Sequence, residues 1–157
     1  MMNNNLTPNA YFQRKTLQSL GLLAFRAAMG SAFVLHGLMK IPAATTWMGD
    51  AVPGALQAAA AYSELLGGAA LALGFLTPLA SLALIGVMSG ALFLHHLPSG
   101  DPFVGMPGKG SYELALAYLA GAALFLLNSP GKFSLDYLLL KALKSSVSGN
   151  TQASLQV

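Results

Sequence analysis

Two groups of residues in this chain have the types and placement to do chemistry. Arg26 and Glu64 are opposite charges, each embedded in a long apolar run. Arginine keeps its charge under all ordinary conditions, and an ion at the centre of a bilayer costs at least ~2.5 kcal/mol unless it finds a partner. The second group is His36, the adjacent His95 and His96, Asp101 and Glu113. Imidazoles with carboxylates can bind a divalent metal, carry protons or hydrogen-bond a quinone head group. Neighbouring histidines on an α-helix point about 100° apart, so the 95–96 pair is no metal signature by spacing, and no metal site is expected. Taken singly, His95 and His96 read as solvated interfacial residues. Glu113 is harder to dismiss, because a carboxylate inside an apolar segment is an avoidable cost.

These residues need a scaffold, and the bulk composition says which solvent it faces. Of 157 residues, 55% are hydrophobic and only 8% charged. The mean hydropathy is +0.60. A water-soluble domain carries about a quarter charged residues, so most of this chain faces something other than water. The net charge of +3 forms no basic stripe, which argues against nucleic-acid binding. The chain has no cysteine. Disulfides, zinc–thiolate sites and iron–sulfur ligation by this chain are therefore excluded, and no intrinsic cofactor is expected. The three histidines gather toward one end, which argues against a haem held across the bundle.

Four apolar segments run from about Leu17 to Met39, Ala55 to Phe75, Thr77 to Leu97 and Ser111 to Asn128, with Pro and Gly at the joints. Each approaches the ~20 residues that a helix needs to cross a bilayer, and none shows the polar stripe of a soluble bundle. The first is too long for a signal peptide and reads as a retained helix. The expected fold is all-α: a four-helix transmembrane bundle with a short cytoplasmic C-terminal amphipathic helix. Residues 1–16 read as a polar N-terminal tail, 17–129 as the four-span domain, 130–144 as an interfacial helix and 145–157 as a disordered tail. In the interfacial segment Ser134 can cap a helix whose first turn holds Asp136 and whose last holds Lys141 and Lys144.

Depth counting then pairs the two buried charges. Arg26 lies ~14 Å in from the cytoplasmic end of the first segment, and Glu64 reaches a similar depth from the other side. Arg26, Gly30, Phe33, Gly37 and Lys40 share one helical face, and Glu64 shares its face with Ala60, Ala61, Gly67 and Gly68. Small residues of this kind let two helices approach closely. The expectation is an Arg26–Glu64 ion pair, either as a clamp or as part of a site. Nearer the outer face, His36, Glu113, His95 and His96 form the candidate quinone or proton site.

The pattern R..MG..F..HG..K over 26–40, SELLGGAALALGFLTPLA over 63–80 and YELALAYLAGAALFLLNSPGKFSLD over 112–136 resembles the DoxX family of small four-helix membrane proteins. The resemblance covers roughly residues 17–137. Its motif positions match Arg26, Gly30, His36, Gly37, Lys40, Glu64, Gly68, Gly74, Glu113, Gly131, Ser134 and Asp136, and the histidine pair is similar to that of a bacterial inner-membrane branch. Departures are Pro78, where many members carry arginine, and Ser129, where glycine usually precedes the proline. The resemblance implies a multi-pass inner-membrane protein, in contact with lipid, that serves as a membrane subunit in a quinone-linked or sulfur/thiol redox system. A quinone would be its cofactor and an oxidoreductase subunit its partner. The alternative is a structural or assembly protein whose buried charges only fix the bundle.

Orientation follows from flanking basic residues. Arg14, Lys15, Lys132, Lys141 and Lys144 lie on one side, with only Lys40 and Lys109 on the other, so both termini are expected in the cytoplasm. Reporter fusions at residue 157 and within 98–110 should read opposite compartments; matching readouts would end the four-span arrangement.

Overall fold

A computed structural model describes residues 8–154, and every regular element in that range is helical. Helix α1 spans Pro8–Lys40, α2 Gly54–Leu73, α3 Thr77–Gly90, α4 Glu113–Leu127 and α5 Leu135–Ser154. A π-helical turn, Ala91–His96, continues α3. Two 3₁₀ turns, Ile41–Ala43 and Gly49–Ala51, fold the link between α1 and α2. Proline falls where a missing N–H does no harm: Pro53 just ahead of α2, Pro78 in the first turn of α3, and Pro98 and Pro130 beyond helix ends.

Two expected boundaries shift. Helix α1 includes residues 8–16, and α5 runs beyond Lys144 to Ser154. Polarity alone does not stop a helix, and neither stretch holds an interior proline. The remainder of the expected tails, 1–7 and 155–157, lies outside the described residues. Three stretches are long and apolar enough to cross a membrane: Lys15–Ala43, Gly54–Leu73 and Thr77–His96. Helix α4 is equally apolar but has only 15 residues.

Helices α1 to α4 surround one core built on Phe33, Leu71, Leu84, Met88, Ala122 and Phe125. Outward-facing positions are apolar as well, with Leu35, Leu66, Leu79, Phe93 and Leu127 all exposed. A surface of this kind suits contact with lipid acyl chains. The α1–α2 contact runs antiparallel through glycine. A Cβ at Gly30 would come 2.6 Å from the Gly68 carbonyl oxygen, and one at Gly68 would come 2.7 Å from the Phe33 Cβ. At Gly37 a Cβ would meet the Leu65 backbone nitrogen at 2.5 Å. These atoms are backbone or rigidly held, so the two helices touch main chain to main chain. Across the bundle, Gly121 of α4 lies against Met29 and Phe25 of α1, and the Phe33 and Tyr118 rings sit 4.9 Å apart.

The close crossing gives a direct test. Gly68→Val should destabilise the protein in detergent by about 1–3 kcal/mol, because the two backbones must separate. Gly21→Ala is the control: a Cβ there meets nothing within 4 Å. It should be neutral or stabilise by up to ~1 kcal/mol, as expected for a helical glycine replaced by alanine. Thermal melts of the two variants should move in opposite directions or differ by several degrees.

Candidate functional site

Arg26 and Glu64 do not meet. Matched depths require a first span of about 20 residues, but Lys15–Ala43 is 29 residues long. The two side chains therefore miss by roughly nine residues, about 14 Å along the bundle. Arg26 sits level with the α2–α3 turn, and Glu64 sits near the far end of α1.

Arg26 is 1% exposed. One amino group donates to the Pro130 carbonyl at 3.0 Å and the other to the Phe133 carbonyl. Its acceptors are backbone oxygens in the α4–α5 link, and the Asp136 carboxylate adds electrostatic attraction. The turn beside it depends on glycine. Gly74 ends α2 at φ +64°, with its N–H on the Leu71 carbonyl and the Phe75 N–H on the Ala70 carbonyl, the paired bonds of a Schellman cap. A Cβ at Gly74 would collide with the Arg26 guanidinium and with Ser134. Leu76 follows at φ +46°, an unfavourable conformation for leucine. Asp136 holds it there, accepting from the Leu76 and Thr77 N–H groups at 2.8 and 2.9 Å. That carboxylate caps α3 from sixty residues away, and the positive end of the α3 dipole favours it. Ser134 accepts the Tyr137 N–H at 3.1 Å and so caps α5. The hydrogen bonds that Arg26, Ser134 and Asp136 make here all go to backbone, while Arg26 Nε and Thr77 Oγ1 are buried without a partner.

At the other end of α1 the chemistry differs. The Lys40 ammonium contacts both Glu64 oxygens at 2.6 and 2.5 Å. It also lies 4.4 Å from the centre of the Trp47 ring, a cation–π distance. The Glu64 side chain is 3% exposed, so Lys40 is its necessary counter-charge. Gln57, buried one face-repeat before Glu64 on α2, pins the 48–52 segment. Its amide donates to the Gly49 and Val52 carbonyls at 2.7 and 2.6 Å, and its oxygen accepts the Met48 N–H at 2.8 Å. Trp47 donates to the Gln57 carbonyl at 3.1 Å. Sequence reasoning missed Trp47 and Gln57. The available signals were the chain's one tryptophan and a glutamine seven residues before Glu64 in an alanine-rich helix.

A groove of about 930 Å³ opens over this pair. His36, Lys40, Trp47, Glu64, His95 and His96 all line it, and apolar residues such as Leu56 and Leu94 form much of the rest. His36 and His96 are half-buried, and His95 is exposed. His96 Nδ1 lies 2.7 Å from an Asp101 oxygen. The three candidate histidines are thus gathered into one groove, but Glu113 does not join them. It is exposed in the first turn of α4, where its own N–H donates to Ser111 Oγ at 3.2 Å. A carboxylate at a helix N-terminus is stabilised by the exposed amides and needs no buried partner.

The fold and these sites define an all-α protein with three helices suited to a membrane. Residues 21–97 match the sequence model of the DoxX family, which supports membership of that family. The match takes in Arg26, His36, Lys40, Glu64, Gly74 and the histidine pair. No curated protein and no solved structure matches the chain.

Proposed function

We propose that this chain is a multi-pass protein of the cell inner membrane, with α1–α4 all crossing and both termini cytoplasmic. In this reading it is the membrane subunit of a quinone-linked or sulfur/thiol redox system. Helix α4 is about 22 Å long and would be accommodated by local thinning of the bilayer.

One observation carries the functional part: the groove combines apolar walls with His36, His95, His96 and Lys40–Glu64 along a single opening. A quinone has the matching form. Its carbonyl oxygens accept from imidazole or ammonium donors, its ring stacks on an aromatic face such as Trp47, and its isoprenoid tail lies against aliphatic side chains. Histidine can also deliver or remove the protons that accompany quinone reduction and oxidation. With no cysteine in the chain, electrons reach the quinone from a partner oxidoreductase. The structural alternative has its own support, because the hydrogen bonds of Arg26 and Asp136 all go to backbone. That knot would serve an assembly protein equally well.

Purification in mild detergent, with lipid extraction for quinone and mass spectrometry of co-purifying proteins, separates the two. The redox reading expects bound quinone and an oxidoreductase. It further expects His36→Ala to weaken quinone retention by about tenfold, the value of one hydrogen bond in a buried site. Glu113→Gln should retain quinone like the wild type, because that residue lies outside the groove. Neither quinone nor oxidoreductase across several detergents favours the assembly protein.

A further inference from the structure

We infer that His95, His96 and Asp101 form a binding site for one divalent first-row transition-metal ion at the mouth of the groove. One ligand atom from each of the three side chains lies within 4.8 Å of the others. On a regular α-helix this would be hard to achieve, because successive side chains diverge by about 100°. Here the backbone is not a regular α-helix. Residues 91–96 form a π-helical turn, whose wider ring turns the chain through a smaller angle per residue. The two imidazoles consequently stay together, with ring centres 5.0 Å apart. Single π-helical turns inside α-helices recur at functional sites, and this one ends on the histidine pair.

The loop after it is shaped to return the carboxylate. The Ser99 N–H bonds the His95 carbonyl, and the Asp101 N–H bonds the His96 carbonyl, both at 3.1 Å. Tyr112 N–H reaches back to the Pro102 carbonyl at 3.3 Å, closing the loop. Gly110 passes so near that a Cβ there would lie 2.8 Å from an Asp101 oxygen. Asp101 is therefore packed closely against the Gly110 backbone. Two imidazoles and one carboxylate, without thiolate, suit a borderline divalent ion such as zinc or ferrous iron over calcium or copper(I). Three protein ligands leave coordination positions for water or a groove ligand. The hydrogen bond between His96 Nδ1 and Asp101 is what the ion would displace: the proton shared there leaves, and both atoms turn to the metal. The site stands on this geometry whether or not a quinone enters the groove.

The probe is zinc or cobalt(II) added to the full chain in detergent, purified on a tag without histidine and stripped with chelator. Equilibrium binding should show one ion per chain, with affinity falling as pH drops because the ligands must shed protons. His95→Ala, His96→Ala and Asp101→Asn should each weaken binding by at least about 100-fold, above the loss typical of outer-shell changes. Asp50→Asn, an exposed carboxylate in the α1–α2 link, should bind like the wild type. If the variants fold poorly, X-ray absorption on the zinc-loaded wild type decides: two imidazole ligands per zinc support the site, and fewer overturn it. Wild-type binding that is absent, or unchanged by the three substitutions, also overturns it.

Discussion

A buried guanidinium cannot give up its charge, so a fold that encloses Arg26 must bring acceptors to it. The acceptors here are the Pro130 and Phe133 carbonyls, over a hundred residues away. That requirement organises one end of the molecule. The α4–α5 link must pass over α1, and Gly74 must lack a side chain for Arg26 and Ser134 to fit. Asp136 then lies where its carboxylate can cap α3 and hold Leu76 in an unfavourable conformation. Carbonyl oxygens carry only partial charge, but they are fixed by the chain and need no desolvation of a second full ion. They are therefore a cheaper buried partner than a carboxylate would be.

Because Arg26 takes its acceptors from the nearby α4–α5 link, Glu64 is left to Lys40. The ion pair sits under a groove, and Trp47 and Gln57 shape the outer link around it. The protein thus separates its polar residues by task. One end uses them to fasten helices together, and the other presents them along an accessible apolar surface. The polar and glycine positions are split between the two ends: Arg26, Gly74, Gly131, Ser134 and Asp136 belong to the knot, whereas His36, Lys40 and Glu64 belong to the groove. Gly30, Gly37 and Gly68 lie between and set the α1–α2 spacing.

Much of this was legible in the sequence. Apolar runs punctuated by proline and glycine gave the helices, and the glycine faces of α1 and α2 gave their contact. Ser134 as a helix cap was readable from its position before an apolar stretch. The partners of the charges were not. Counting depth from guessed ends fails when a helix exceeds the bilayer, as α1 does, and backbone acceptors leave no mark in the residue types. The fate of Glu113 was misread for a related reason, since a helix N-terminus satisfies a carboxylate without any side-chain partner. The π-helical turn under His95 and His96 was equally silent, because the local sequence ALFLHH fits an α-helix as well.

Coupling energies measure the separation of charges most directly. Two double-mutant cycles on stability in detergent share one variant, Glu64→Gln, combined either with Lys40→Met or with Arg26→Met. Each single substitution that strands a buried charge should be strongly destabilising, on the order of 3–5 kcal/mol for Lys40→Met. Adding Glu64→Gln to Lys40→Met should recover at least ~1 kcal/mol of that loss, since no unpaired ion remains. Adding it to Arg26→Met should recover nothing, with the two effects summing to within about 0.5 kcal/mol. Strong coupling between Arg26 and Glu64, with none between Lys40 and Glu64, would contradict the account.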